Sequence, residues 1–191
     1  MIADKAIAGF NPSQLADALH LGIKGISRDP SEMIPLIERA LEAVERAVRQ
    51  MPDEKLNWTA PNRNRPMCEF AYHIFMVVQN IMKGFSIGIA FPEFDLTGRS
   101  YTSFQDIAEH GRTVIDQYRD WASKQDLDAL RKPPLAGSDA QSGAKRLDFL
   151  VGHTIQHLRQ LYALLETFGI TPENRVPDSE WPSEYVLVNL W

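Results

Sequence analysis

The longest and most regular apolar repeat of the chain is GAKRLDFLVGHTIQHLRQLYALLETFG, residues 143–169. Its apolar residues recur three and four positions apart, which is the spacing of one buried face on an α-helix. Gly169 supplies a natural end to that helix. The sequence therefore predicts a helix over residues 143–168. Its buried stripe is expected to contain Leu147, Val151, Thr154, Leu158, Leu161 and Leu165.

Three earlier segments, residues 31–50, 66–83 and 104–123, show the same periodicity. Ser31 is a candidate N-cap for the first, and Pro66 is a good first residue for the second, which Gly84 then weakens. Ser103 and Asp106 have capping-box spacing at the start of the third. Outside residues 185–190, no segment alternates like a half-buried strand. We therefore predict an all-α fold, a four-helix bundle.

Two flanking pieces complete the predicted architecture. Residues 11–21 are expected to form a short extra N-terminal helix, and residues 170–191, with three prolines, an extended C-terminal strap. Trp181, Tyr185 and Trp191 in this strap are too apolar to be left in water, so we expect it to pack on its own domain or on a partner subunit. A length of 191 residues favours one domain over residues 1–191.

Composition narrows the functional classes. Apolar residues make up 44% of the chain, but no run of them is long enough to span a bilayer, so we expect no membrane partner. The formal net charge is −5 and the basic residues are scattered, which disfavours a nucleic-acid partner. Residues 1–10 lack the pattern of a secretory signal, which favours a cytoplasmic location. Cys68 is the one cysteine, so a metal site needs His, Asp or Glu ligands.

Three histidines form the candidate site. His153 and His157 are four residues apart and share one face of the last predicted helix, beside its apolar stripe. His73 lies on the corresponding flank of the second helix, where the two flanks can meet. Three neutral imidazoles with open positions for water or substrate are the ligand set of a catalytic divalent-metal site. Because these ligands bring no charge, the ion keeps its full +2 and favours anionic or thiolate ligands.

Each candidate residue also has a simpler interpretation. A histidine at the edge of an apolar stripe often only forms a hydrogen bond across a helix interface. Glu69, one turn before His73, is a candidate base or water-orienting group, and equally an exposed helix carboxylate; Gln160 has the same ambiguity. His20 and His110 are better explained as capping or surface residues. Cys68 is predicted to point away from the His73 flank, which disfavours a nucleophilic role.

Most of the chain resembles the DinB/YfiT-like superfamily of metal-dependent four-helix-bundle proteins. The most specific matches are RNRP at residues 63–66, YHIF at 72–75, GHTIQHLRQL at 152–161 and GITP at 169–172. The resemblance implies that His73, His153 and His157 bind nickel, zinc or manganese. It also implies an unusual helix order, a homodimer and, where members have a known activity, thiol-dependent transferases or isomerases that use low-molecular-weight thiols.

These observations lead to two functional hypotheses. The first is a metal-dependent enzyme, either a hydrolase or a low-molecular-weight-thiol S-transferase, that acts on a small-molecule substrate through the three-histidine site. The alternative is a noncatalytic helical bundle that binds a small ligand or serves as a dimeric interaction module. DNA binding is opposed by the acidic balance of the chain.

Overall fold

A computed structural model of the chain describes residues 28–60, 65–87, 101–132 and 142–186. Five α-helices lie in these ranges, and four of them are long. The described residues contain no strand, only an isolated bridge between Thr59 and Pro66. The all-α prediction is therefore confirmed. The helices are α1 Pro30–Arg49, α2 Met67–Ile87, α3 Phe104–Ser123, α4 Leu127–Arg131 and α5 Gly143–Thr167.

Local capping chemistry fixes most of the helix ends. Ser103 caps α3 as predicted, since its hydroxyl accepts a hydrogen bond from the Asp106 amide at 3.0 Å. The predicted cap of α1 is wrong by two residues: Asp29 accepts from the Ser31 amide at 2.9 Å, and Pro30 is the first helical residue. Gly169 has a positive φ of 78°, which ends α5 where the sequence predicted.

Two features differ from the sequence-based expectation. Helix α2 continues to Ile87, four residues past the predicted end, because Gly84 is buried in the bundle and tertiary packing outweighs its low helix propensity. The short helix α4 was not predicted. Asp126 caps it and Leu130 is buried, so a capping signal and one apolar anchor are sufficient for a single turn here.

The four long helices pack in an order that does not follow the chain. Helix α1 packs against α3 and α5, and α2 packs against the same two helices, so α1 and α2 lie diagonally across the bundle. This is the kind of unusual order that the resemblance implied. All six residues of the predicted α5 stripe are fully buried, which confirms its inward face. The arrangement sets α2 beside α5, the two helices that carry the candidate histidines.

The described part of the C-terminal strap, up to Val186, packs on its own chain. It contains two 3₁₀ turns, Asp178–Glu180 and Ser183–Tyr185, and no strand. Trp181 and Tyr185 are 4% and 1% exposed, and the Tyr185 hydroxyl donates to Asp148 of α5. Burial of these two aromatic rings explains why a proline-rich segment is ordered against the bundle.

Some predictions lie outside the described residues. They are the short helix at residues 11–21, His20, Trp191 and most of the possible strand at residues 185–190; Tyr185 itself lies in a 3₁₀ turn. The assignment of residues 1–191 to one domain stays a prediction. Among the helices that the structure describes, none combines the length and the apolar character that crossing a membrane requires.

The contact between α2 and α3 gives a stability prediction. An added Cβ at Gly111 would lie 2.3 Å from Cζ of the buried Phe75 ring, whereas at Gly152 it would lie 3.5 Å from Tyr185. We expect Gly111→Ala to reduce the free energy of unfolding by about 1–3 kcal/mol through overpacking. Gly152→Ala should be neutral or stabilising by up to about 1 kcal/mol, because alanine favours helix.

Urea denaturation of both variants followed by circular dichroism measures this difference. Equal free energies of unfolding for Gly111→Ala and the wild type would show that α2 and α3 are not held at this close distance.

Candidate metal centre

The structure brings the three predicted histidines together between α2 and α5. His73 lies at the end of the second turn of α2, and His153 and His157 lie one turn apart in the middle of α5. The ring centroids of His153 and His157 are 4.4 Å apart, and that of His73 lies 5.2 and 5.7 Å from them. One ring nitrogen from each residue lies within 4.8 Å of the other two.

The start of α2 is held in place by the segment before it. The amides of Met67 and Cys68 donate to the carbonyls of Trp58 and Leu56, both at 2.9 Å. These bonds supply partners for two of the amides that a helix N-terminus leaves free. They also fix the approach of Arg65, whose charge acts on the histidines two turns further along the helix.

Exposure differs across the cluster and marks its open side. His153 is 4% exposed and lies deepest, whereas His73 and His157 are each partly exposed. Phe149 packs on the His153 ring, and Phe70, near the start of α2, makes an edge contact with His157 at a centroid distance of 5.2 Å. The cluster is therefore closed at His153 and accessible beside His157 and the first turn of α2.

The environment keeps two of the imidazoles neutral. Burial, followed by the neighbouring His157 and the Arg65 guanidinium, lowers the pKa of His73 well below its usual value of 6.5. Burial also lowers the pKa of His153, and the charges of His157, His73 and Arg65 act in the same direction. Neutral imidazoles carry the free lone pair that a metal ion requires.

The geometry of His73 and His153 fits a shared ion. Their Nε2 atoms are 3.3 Å apart. Two nitrogens in a tetrahedral site with metal–nitrogen bonds of about 2.0–2.1 Å are separated by about 3.3 Å. A direct N–H···N hydrogen bond between the two rings would have a similar length, so the distance alone does not separate the two interpretations.

Polar atoms on the far side of these rings carry a cost that either interpretation must offset. Nδ1 of His73 and Nδ1 of His153 are both buried, and neither has a hydrogen-bond partner in the described part of the chain. A single N–H···N bond, worth about 1 kcal/mol net, leaves a buried N–H without an acceptor at a cost of about 1–3 kcal/mol. Structural zinc in zinc-finger peptides binds with about 10–16 kcal/mol, which offsets even two such groups. The residues present therefore fit a divalent ion.

The other candidate residues lie outside the cluster. Glu69 is exposed in the first turn of α2, so its catalytic role stays a prediction. Cys68 is partly buried, and burial raises the pKa of its thiol, which opposes nucleophilic character. His110, expected as a surface or capping residue, is instead partly buried beside the rings of Tyr72 and Tyr101.

Two neighbours of the site were not assigned by sequence reasoning. Gln160 is 3% exposed and its Oε1 lies 2.7 Å from Nδ1 of His157. It was noted as near the same flank, but its three-residue spacing from His157 was the signal that it can contact that ring. Arg65 was noted only as part of the RNRP motif. Its influence on the cluster depends on how the chain enters α2, which periodicity does not reveal.

The family model of the DinB superfamily matches residues 36–161, two thirds of the chain, and this range includes all three histidines. No curated protein matches the sequence.

Neutral buried histidines predict a pH dependence of stability for the metal-free protein. Below pH 6.5 the unfolded chain protonates His153 while the folded chain does not, so the free energy of unfolding must fall as the pH is lowered. Each imidazole that stays neutral contributes up to about 1.4 kcal/mol per pH unit. We expect urea denaturation at about pH 5 and about pH 7 to show this loss.

The variant His153→Leu separates this effect from the titration of carboxylates. Because it removes one such group, its stability should depend less steeply on pH than that of the wild type. The same slope in both proteins would mean that His153 is protonated in the folded state as readily as in the unfolded chain.

Proposed function

The chain belongs to the DinB superfamily, and on that premise we propose that it binds one divalent metal ion through His73, His153 and His157 and uses the ion in catalysis. The observation that carries the proposal is the convergence of three imidazole nitrogens within 4.8 Å, two of them from rings that burial keeps neutral. This is the ligand number of catalytic zinc sites, which retain an open position.

The donor set favours a first-row transition metal. Imidazole nitrogens suit zinc, nickel and other borderline ions, whereas magnesium and calcium need oxygen ligands that the cluster does not provide. We propose zinc or nickel on this donor set, and manganese, which favours oxygen ligands, only on the resemblance to the family. When bound, such an ion supplies Lewis-acid activation of a water molecule or a thiol, which is the basis for proposing a hydrolase or a low-molecular-weight-thiol S-transferase.

The surrounding residues give the substrate a direction of approach. His153 and Phe149 close the inner side of the cluster and exclude water there. The partly exposed His157 lies on the open side, which is where a small-molecule substrate would enter. On α2, Glu69 is an exposed carboxylate one turn before His73, and we propose it as a proton acceptor for the incoming water or thiol.

Arg65 supports an anionic substrate. Its guanidinium acts electrostatically on both His73 and His153, and no carboxylate within residues 28–60, 65–87, 101–132 and 142–186 forms an ion pair with it. An arginine with no such partner beside the partly exposed side of the cluster favours a carboxylate, phosphate or thiolate group on the substrate.

A noncatalytic bundle is the second candidate. The 3.3 Å contact between the Nε2 atoms of His73 and His153 is also a possible interhelical hydrogen bond, which needs no ion. In that case the cluster would serve only to fix the packing of α2 on α5. Homodimer formation and a cytoplasmic location stay predictions of the sequence.

Metal content separates these candidates. We expect elemental analysis of untagged protein after zinc reconstitution and dialysis to find one ion per chain, and to find the ion lost in His73→Ala and in His157→Ala. His110→Ala is the matched control, because it removes a histidine of the same bundle outside the cluster and should keep the ion.

Circular dichroism must show that the variants remain helical. A stoichiometry near zero in the reconstituted wild type would contradict the metal proposal and favour the noncatalytic bundle.

The role of Glu69 is tested by turnover. A screen with bacillithiol, mycothiol and glutathione as thiols, together with activated esters as hydrolase substrates, should identify one active class. For that reaction we expect Glu69→Gln to lower kcat by about 10²-fold or more, the usual range for a lost general base.

Glu109→Gln, at an exposed position on α3, is the control and should keep the wild-type rate. Full activity of Glu69→Gln would exclude this residue as the base, and no turnover with any thiol would exclude the transferase branch.

A further inference from the structure

One hydrogen bond beside the cluster reaches a side chain that is not itself a ligand. Gln160 lies three residues after His157 on α5, and its side chain is almost completely buried, at 3% exposure. The 2.7 Å between its Oε1 and Nδ1 of His157 is a short, well-formed hydrogen bond. A buried amide in this position is held by the packing of the helix and does not adjust freely to the ring.

The direction of this bond fixes the protonation of the ring. The Oε1 atom of an amide only accepts hydrogen bonds, so Nδ1 of His157 must be the donor. A neutral imidazole carries a single N–H, and when this is on Nδ1 the other nitrogen, Nε2, keeps its lone pair. Because Nδ1 faces Gln160, Nε2 is the nitrogen that would bind an ion.

His157 needs this support more than the other two rings. The His153 ring is 4% exposed and packs on Phe149, so its orientation follows from the core. His157 is partly exposed on the open side, where Phe70 makes an edge contact with its ring. Because the ring is partly exposed, a hydrogen bond to a buried side chain restricts its rotation in a way that the core alone does not.

We propose that Gln160 is a positioning residue that holds His157 in the Nδ1–H tautomer and directs its Nε2 toward His73 and His153. The statement about the tautomer stands on the geometry of the metal-free protein; the consequence for metal affinity rests on the proposed function. Through this bond, Gln160 sets which nitrogen binds the ion and reduces the orientational freedom that binding would otherwise remove.

The chemical identity of the positioning group is itself informative. Histidine ligands commonly donate their second N–H to a carboxylate, which raises the basicity of the ligand and adds a negative charge near the ion. Glutamine accepts the same hydrogen bond without that charge. The ion therefore keeps its +2 charge and remains a strong electrophile toward water, a thiol or an anionic substrate.

The test uses three variants of the full chain. Gln160→Met keeps the length of the side chain and removes the acceptor, Gln160→Glu keeps the acceptor and adds a charge, and Gln156→Met removes a buried glutamine whose oxygen accepts from Arg159. Nitrogen-15 NMR of the metal-free protein, above the usual histidine pKa of about 6.5, reports the tautomer of His157. Zinc titration with a competing chromophoric chelator then reports the dissociation constant of each variant.

We expect the Nδ1–H tautomer of His157 in the wild type, in Gln160→Glu and in Gln156→Met, and its loss in Gln160→Met. The zinc dissociation constant should rise about 10–100-fold in Gln160→Met, the range for lost outer hydrogen bonds to ligands. It should stay near the wild-type value in Gln156→Met and be equal or lower in Gln160→Glu. A merely structural role for Gln160 would change the stability of Gln160→Met and leave the tautomer unchanged.

An Nε2–H tautomer in the wild type, or an unchanged tautomer in Gln160→Met, would overturn the proposal. A zinc affinity equal to that of the wild type in Gln160→Met would also overturn it. If the wild type binds no zinc at all, the proposed function fails, whereas the NMR comparison still decides whether Gln160 sets the tautomer.

Discussion

The packing of α2 against α5 is the constraint on which the candidate site depends. The diagonal placement of α1 and α2 lets both contact α3 and α5, so the flank of α2 that carries His73 faces the flank of α5 that carries His153 and His157. Had consecutive helices packed as direct neighbours around the bundle, a sequence-adjacent helix would occupy this position. The helix order therefore determines which side chains meet, and the depth of the interface then determines their protonation.

Buried polar groups at two interfaces of the bundle differ in whether they have partners. Between α1 and α3, the carboxylate of Glu45 is 1% exposed and forms ion pairs with both Arg49 and Arg112. A buried charge that is fully paired is the usual condition of a structural polar group. Between α2 and α5, Nδ1 of His73 and Nδ1 of His153 are buried without a partner in the described part of the chain. These two Nδ1 atoms face away from the Nε2 atoms that would hold an ion, so an ion would have to offset the cost of leaving them unpaired.

Sequence patterns predicted much of this arrangement. Particular residues show why other features could not be predicted. The four-residue spacing of His153 and His157 and the matching flank of His73 are local properties of helices, so their convergence was predictable once the helices were placed. The end of α2 was not predictable from the sequence, because burial of Gly84 is a tertiary effect that outweighs the low helix propensity of glycine. The hydrogen bond from His157 to Gln160 was also beyond reach, since spacing permits the contact but only the side-chain torsions determine which nitrogen is bound.

The proposed ligands and Gln160 carry no charge, whereas the neighbouring Arg65 is positively charged. A carboxylate ligand would bind the ion more tightly and would also cancel the field of Arg65, leaving little attraction for an anion. Three imidazoles and the amide of Gln160 add no negative charge, so the ion and Arg65 would act together on an incoming substrate. The same choice weakens cation binding, because a guanidinium beside the site repels the metal. In the proposed metal site, some affinity for the ion would therefore be exchanged for attraction of an anion, a balance that would suit an ion that activates a substrate rather than one that only joins two helices.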